Sequence, residues 1–153
     1  MNRRRAARLA AVQALYQIDL TGARPAAVIG EFVAHRLASI LEPFAPDEPP
    51  PEVDRDWFTT VVAGTVEAIP AIDPEIAACL QGTWSLDRLG YLLRACLRAG
   101  AYELKCHPEV PTAAVIDEYV ELSRGFIGGK EPGFVHAVLD RLAQRFRQPA
   151  APG

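Results

Sequence analysis

The chain has 153 residues, half of them apolar, with 16 basic and 19 acidic side chains and a formal net charge of −3. That length suits one domain, or two small helical lobes that share a core. No apolar run reaches the roughly 18 residues of a membrane-spanning helix, and we expect a cytoplasmic protein. The three cysteines are odd in number and lack CxxC spacing, which argues against a disulfide framework and a zinc site.

Hydrophobic periodicity is helical almost throughout the chain, which predicts an all-α fold. The inward positions expected for the first helix are Leu9, Val12, Tyr16 and Leu20. Asp73-Pro74 and Ser85 are expected to begin new helices, and the prolines of segment 43–51 predict an extended linker. The predicted helices are Arg4–Leu20, Ala26–Leu41, Asp54–Ile69, Asp73–Leu80, Leu86–Cys106, Pro111–Arg124 and Pro132–Phe146. We expect about seven helices in two packed lobes, 1–80 and 81–147, followed by a flexible tail at 148–153.

Positive charge is concentrated at the opening of the first predicted helix. Arg3, Arg4, Arg5 and Arg8 lie within eight residues, whereas the rest of the chain has 12 basic and 19 acidic residues. Arg4 and Arg8 share a helix face because they are four residues apart. Each cation at a helix N-terminus is unfavourable by roughly 0.3–1 kcal/mol, so helix stability does not explain them. A phosphate ligand would explain these arginines, because phosphate accepts bidentate hydrogen bonds from guanidinium and binds favourably at a helix N-terminus.

The basic start is also compatible with two roles that involve no nucleic acid. It could be a solvated tail that improves solubility, or the amphipathic start of a mitochondrial presequence. Either role would leave the arginines without a phosphate ligand. Four phosphate contacts would instead give a log–log salt slope of about −3 on single-stranded RNA.

Catalytic and metal sites leave no signature in the sequence, so we expect a protein that acts by binding and is not an enzyme. His35, His107 and His136 are scattered, without HExxH or paired-carboxylate spacing. The glycine-rich segment 125–130 lacks the spacing and the final Ser or Thr of a phosphate-binding loop, and is predicted to join two helices. We predict neither a cofactor nor a metal.

Several aromatic side chains could stack on nucleobases, although aromatics at helical spacing more often belong to a core. These are Tyr16, Trp57, Trp84, Tyr91, Tyr102 and Tyr119. Arg94, Arg98 and Tyr102 form an i, i+4 row. That row would be either solvated or part of a surface that faces another protein.

Four blocks of sequence, spread from Arg4 to about Arg145, form a pattern whose order and spacing are specific. They are Arg4-Arg5-Ala6-Ala7-Arg8 with Ala11–Tyr16, Phe58 with Val62–Val66, Arg94–Leu104 with Val110-Pro111, and Val115–Leu122 with Phe134–Asp140. The pattern resembles the NusB family of bacterial transcription antitermination factors.

The resemblance implies an all-helical protein of two packed lobes that binds the boxA element of ribosomal RNA leaders as a single strand. It also implies a small-subunit ribosomal protein as partner, within the antitermination complex of RNA polymerase, and in some members a homodimer that masks the RNA site. By position, the implied RNA-binding residues are Arg3, Arg4, Arg5, Arg8, Gln13, Tyr16, Lys130 and Phe134. The implied partner-protein surface includes Arg94 and Arg98.

Some positions depart from what is usual in the family. They are Leu93, Asp117, His136 and Ala137, and they put the partner-protein surface in question. Lys130 stands at a position that can be acidic in relatives, which predicts added attraction for phosphate.

Two alternative functions stay open at this point. The same fold resembles the N-terminal domain of ribosomal RNA cytosine methyltransferases, but the sequence has no glycine-rich cofactor loop, so this chain would be only a detached RNA-binding module. A purely structural homodimer with an incidental arginine tail is the other alternative.

Overall fold

A computed structural model describes residues 2–39, 52–126 and 131–147. Within these ranges the chain forms six α-helices and no strand, which confirms the all-α prediction. The helices are α1 (Arg3–Thr21), α2 (Pro25–Glu31), α3 (Arg55–Cys79), α4 (Tyr91–Cys106), α5 (Thr112–Phe126) and α6 (Glu131–Phe146). None of them, over the described residues, is long and apolar enough to cross a membrane. The expected proline-rich linker and C-terminal tail lie outside the described residues.

The chain divides into two compact units, Met1–Glu67 and Ala68–Gly153. The division falls inside α3, earlier than the boundary expected near residue 80. Helix α3 therefore contributes its first half to one unit and its second half to the other.

Helix α1 begins and ends at residues with defined caps. Asn2 caps it in an extended conformation, and Gly22 ends it in the left-handed region at φ 72°, donating its N–H to the Ile18 carbonyl at 2.8 Å. Glycine adopts this conformation without steric cost, which explains why the helix stops here. The prediction of Arg4–Leu20 is confirmed to within one residue at each end.

The buried face of α1 differs from the prediction. Leu9 and Val12 are buried as expected, but Tyr16 is 38% and Leu20 is 49% exposed, so their expected core positions were wrong. Alanines occupy much of the buried surface instead, at positions 6, 7, 10, 11 and 14. Small side chains let neighbouring elements approach the helix closely on more than one side, which a single stripe of large residues does not indicate.

The second predicted helix is helical but irregular. Helix α2 continues into a π-helical turn, Phe32–Arg36, and a 3₁₀ turn, Leu37–Ser39. Val28, Phe32 and Leu37 are buried along it, and the Phe32 ring stacks on Phe58 of α3 with centroids 5.6 Å apart. The wider π turn changes the helical register between Val28 and Leu37. The predicted end of this helix, residues 40–41, lies outside the described residues.

Helix α3 runs through two prolines that were predicted to separate two helices. Pro70 and Pro74 lie inside it, so the expected break between Ile69 and Asp73 was wrong. A proline in a helix interior costs about 3 kcal/mol because it removes a donor and crowds the preceding turn. Ile72 and Ile76, both fully buried, contribute about 1.5–3 kcal/mol each, which is comparable. Tertiary burial therefore explains why the helix continues to Cys79.

Helix α4 begins later than predicted. Leu86–Arg88 forms a short 3₁₀ turn, Leu89 is extended, and the α-helix starts at Tyr91 with Gly90 at its N-cap. Ser85 makes no side-chain capping hydrogen bond, so it does not start a long helix as expected. Instead the Arg94 guanidinium donates to the Leu86 and Leu89 carbonyls at 3.1 and 3.4 Å, which holds the turn against α4.

Helices α4, α5 and α6 pack against one another in the second unit. At Gly100 of α4 an added Cβ would lie 2.8 Å from a methyl carbon of Leu139 in α6, so the glycine permits close approach. Glu103 is fully buried and accepts a hydrogen bond from the Tyr119 hydroxyl. The Arg147 guanidinium donates to the carbonyls of Glu103, Leu104, His107 and Val110 and to the Thr112 hydroxyl. It thereby adds donors to carbonyls in the last turn of α4 and just beyond the end of that helix.

Candidate nucleic-acid interface

The opening turn of α1 concentrates positive charge. The Asn2 side-chain oxygen accepts a hydrogen bond from the Arg5 backbone N–H at 2.7 Å, and the first turn holds no acidic residue. Arg3 and Arg4 are exposed and Arg5 is half-buried, whereas Arg8 is only 5% exposed. Three of the four predicted arginines are accessible to an anion, and Arg8 is largely withdrawn from solvent.

Arg3 has an acidic neighbour that its sequence neighbourhood does not contain. Its Nε lies 3.6 Å from Glu52 Oε2, and the two side chains are 65% and 83% exposed. They line an open cleft of about 560 Å³, whose other walls are Leu37, Ala38 and residues 53–56. Because an ion pair this exposed contributes little to stability, a phosphate could displace Glu52 from Arg3 at small cost.

Arg4 and Arg8 converge on one indole ring. The Arg4 Cζ lies 4.1 Å and the Arg8 Cζ 5.7 Å from the centroid of the Trp57 ring. The electron-rich face of an indole attracts cations, and this attraction offsets the cost of placing them at a helix N-terminus. Trp57 is 6% exposed, so it does not offer a face to a nucleobase, and its candidacy as a stacking platform was wrong.

The first turns of α1 and α3 lie side by side in the first unit. The Asp54 backbone N–H donates to the Arg3 carbonyl at 3.2 Å. Asp54 Oδ1 in turn accepts the Trp57 backbone N–H at 3.0 Å and so caps α3. The N-termini of two helices therefore lie beside the arginine cluster, and the N-terminus of α3 is already capped by Asp54, with Asp56 in its first turn.

Gln13 and Tyr16 follow farther along α1. Gln13 is half-buried, and the Tyr16 ring is one of the exposed aromatics of the first unit. Tyr16 lies roughly 12 Å along the helix axis beyond Arg8, from the rise per residue. Tyr16 lies in the same unit as the arginines, and its stacking role stays a prediction.

Phe134 belongs to the second unit and has an aromatic partner. Its ring lies 5.7 Å from that of Trp84, at an interplanar angle of 46°. Trp84 is 55% exposed, while Phe134 is half-buried in the first turns of α6. Arg88 donates to the Thr83 carbonyl at 3.4 Å. Lys130, the other predicted RNA contact here, lies outside the described residues.

Arg94 and Arg98 are held by internal contacts. Arg94 is 9% exposed, and its guanidinium also lies 4.8 Å from the Tyr91 ring. Arg98 forms a two-point ion pair with Asp73 at 2.9 and 2.7 Å. With Tyr102 at 7% exposure, the solvated alternative for this row was wrong, and the partner-protein role of the two arginines stays a prediction.

The remaining candidates for chemistry are separated or buried. Among residues 2–39, 52–126 and 131–147, no group of three or more His, Cys, Asp or Glu side chains could hold a metal ion. Burial raises the pKa of the Cys96 thiol to about 12 and also raises that of Cys79, so both thiols are protonated at neutral pH. Cys106 is exposed, and His107 bridges the Tyr102 hydroxyl and Glu109 at 2.8 and 2.7 Å.

The positions that depart from the usual family pattern lie at or near the surface. Asp117 on α5 and His136 on α6 are exposed, and Leu93 and Ala137 are half-buried. The differences from the usual family residues therefore change the surface more than the core, and we expect them to affect contacts with other molecules.

Comparison with known proteins decides the family. The model of the NusB family matches residues 5–144 of this 153-residue chain. The chain belongs to the NusB family. The resemblance inferred from the four sequence blocks is thereby confirmed.

Individual members of the NusB family match over nearly their whole length. The transcription antitermination protein NusB of Sinorhizobium fredii is 44% identical over 146 residues, 95% of this chain and 89% of that protein. The solution structure of NusB from Aquifex aeolicus has a TM-score of 0.73 at 30% identity, covering 97% of this chain and 94% of that one. A crystal structure of antitermination factors NusB and NusE in complex with dsRNA has a TM-score of 0.72 at 26% identity, covering 94% and 97%.

Proposed function

We propose that this protein is a transcription antitermination factor that binds boxA-type RNA of ribosomal RNA leaders together with a small-subunit ribosomal protein. The observation that carries the proposal is the cationic opening of α1, where Arg3 and Arg4 are exposed without an acid in the first turn. Family membership supports the antitermination role. The NusB neighbour that was crystallised with NusE and dsRNA supports RNA as the class of ligand and a second protein as the partner.

The arginines of the first unit would bind the phosphate backbone. The Arg4 Cζ lies 4.1 Å from the centroid of the Trp57 ring. Stacked there by its face, the guanidinium would keep the N–H groups at its edge for bidentate bonds to phosphate. Arg3 would exchange Glu52 for phosphate, and Arg5 would contribute a third cation. These contacts give affinity for any RNA, because phosphates carry no sequence information.

Sequence preference would come from bases. Base edges can be read only where RNA is unpaired, which favours a single strand over a duplex as the preferred ligand. Tyr16 in the first unit and the Trp84–Phe134 pair in the second are the exposed aromatic faces on which such bases would stack. Gln13 would add hydrogen bonds, and Lys130 a further phosphate contact.

A small-subunit ribosomal protein would strengthen RNA binding by enlarging the contact surface, within the RNA polymerase antitermination complex. Arg94 and Arg98 would act at that surface mainly by fixing its shape, since their guanidinium groups already bond the Leu86–Leu89 turn and Asp73. If the monomer binds RNA and a homodimer does not, the homodimer masks the RNA site.

The decisive experiment measures binding of a labelled boxA-type RNA by fluorescence anisotropy, with and without the ribosomal protein. A scrambled single strand and a duplex of the same sequence serve as competing ligands. Arg4→Ala/Arg5→Ala is compared with Arg24→Ala, which removes an arginine beyond the other end of α1. We expect the double variant to bind at least tenfold more weakly at low salt, because each phosphate contact contributes about 1 kcal/mol.

Three results would count against the proposal. Equal losses in the Arg4/Arg5 and Arg24 variants would make the effect one of net charge alone. A preference for the duplex would remove base readout on a single strand. No RNA binding by the wild type, even with the ribosomal protein present, would leave the structural homodimer as the better account.

A further inference from the structure

We propose that Trp57 is a positioning residue for RNA binding, which holds the Arg4 guanidinium in the orientation that receives a phosphate. The inference rests on the proposed RNA-binding function and adds a residue that would never touch the ligand. Trp57 lies on α3, apart in sequence from the arginines of α1, and joins them only in the folded structure.

The geometry fixes one face of Arg4 and leaves its edge available. The Arg4 Cζ lies over the indole, 4.1 Å from the ring centroid, a separation that suits a planar guanidinium stacked on an aromatic ring. A stacked guanidinium uses its face, whereas bidentate phosphate binding uses its edge, so both can occur together. Arg4 remains exposed to solvent, which keeps that edge open to a ligand.

Arg8 and the burial of Trp57 strengthen this arrangement. Arg8, one helical turn beyond Arg4, lies 5.7 Å from the same ring and is 5% exposed. It therefore helps to shield the indole, which is itself 6% exposed. Cation–π attraction is stronger when the groups are desolvated.

The indole is a firm support because its own backbone is fixed. Asp54 Oδ1 accepts the Trp57 N–H at 3.0 Å, and the Asp54 N–H donates to the Arg3 carbonyl at 3.2 Å. These two hydrogen bonds hold the backbone that carries the indole against the start of α1.

Preorganisation of this kind raises affinity without a new contact to the ligand. An unrestrained arginine side chain loses much rotamer freedom when it binds phosphate, and a guanidinium already stacked in place loses less. Removing the indole should therefore weaken RNA binding by about three- to tenfold. The number of phosphates neutralised should stay the same, so the salt dependence should not change.

The test is a double-variant cycle on full-length protein with the boxA-type RNA. Trp57→Leu and Arg4→Ala are measured singly and together, by anisotropy over a salt series. We expect Trp57→Leu to lower affinity about three- to tenfold in the wild type and less than about twofold when Arg4 is alanine. Trp57→Phe, which keeps an aromatic face, should recover most of the affinity.

Phe58→Leu is the matched control, because it removes a buried aromatic ring one residue away. Its RNA affinity should remain within about twofold of the wild type. If Trp57→Leu does not fold, as judged by circular dichroism, the cycle is run with Trp57→Phe and Arg4→Lys, where the same non-additivity is expected at smaller size.

Additive losses from Trp57 and Arg4 would overturn the inference, as would an equal loss from Phe58→Leu. An Arg4 effect with no Trp57 effect would overturn the positioning role and leave the proposed function standing. Failure of the wild type to bind RNA would instead remove the proposed function, and this role with it.

Discussion

Arg98 and Asp73 form a two-point ion pair that joins α4 to the second half of α3, with Nε–Oδ1 and Nη2–Oδ2 distances of 2.9 and 2.7 Å. Their side chains are 15% and 23% exposed, so the pair is partly shielded from water. Parallel hydrogen bonds between a guanidinium and a carboxylate fix geometry as well as charge. The pair secures the region where two prolines interrupt the backbone hydrogen bonds of α3.

Replacing Asp73 by Asn should destabilise the protein by about 1–3 kcal/mol, because Arg98 would keep its position without its anion. Urea unfolding measures the change. Glu121→Gln is the control: its pair with Arg124 is 51% and 62% exposed, and its loss should cost less than about 0.5 kcal/mol. Equal changes in the two variants would mean that the Arg98–Asp73 pair is no more than a surface contact.

Gly100→Ala should destabilise the second unit by about 1–2 kcal/mol, since the new methyl group would lie 2.8 Å from Leu139 Cδ2 and Leu139 is fully buried. Gly133→Ala is the matched change on α6, where an added Cβ meets nothing within 4 Å. It should stabilise by about 0.5–1 kcal/mol through helix propensity. Thermal unfolding of both variants tests the contrast, and a stabilising Gly100→Ala would show that α4 and α6 can separate without cost.

The salt dependence of RNA binding should reflect the accessible arginines and not all four. With Arg3, Arg4 and Arg5 on phosphate and Arg8 withdrawn, these arginines should contribute about −2 to the log–log slope on a single strand. Arg4→Ala should reduce the magnitude of the slope by about 0.7, and Arg8→Met should leave it unchanged. Anisotropy titrations over a salt series measure the slope, and a reduction by about 0.7 in Arg8→Met would place Arg8 on phosphate after all.

Alkaline pH should unfold the protein partly through Cys96. Burial raises the pKa of this thiol to about 12 from the ordinary value of 9.0, so the native state holds its proton more tightly than the unfolded state does. Above about pH 9 the unfolded chain loses that proton first, and stability falls as pH rises toward about 12. Comparing Cys96→Ala with Cys106→Ala isolates the effect: only the former should flatten the decline, and identical curves would rule it out.

Local signals in the sequence predicted much of the fold. The extended Asn2 cap, the left-handed Gly22 and the long apolar stripes are short-range features, so α1, α5 and α6 were placed nearly to the residue. The extent of helix α3 was not predicted. The sequence shows the helix-breaking effect of Pro70 and Pro74, but the burial of Ile72 and Ile76 that offsets it arises only in the folded structure.

For the candidate site too, local sequence features were predictable and tertiary contacts were not. Charge density pointed to the opening arginines, and family resemblance to Phe134. The support from Trp57, the pairing of Trp84 with Phe134 and the internal bonds of Arg98 join segments distant in sequence. Periodicity and spacing describe one helix at a time, so they could not predict which side chains of different segments would be in contact.

The two tryptophans have opposite surroundings, and each belongs to a different unit: Trp57 is enclosed beneath two guanidinium groups, whereas Trp84 is 55% exposed. Their intrinsic emission should therefore differ in wavelength and in accessibility to an aqueous quencher such as iodide. Unlabelled protein thus carries one optical reporter per unit, so stopped-flow fluorescence can test whether RNA perturbs the first unit, the second or both.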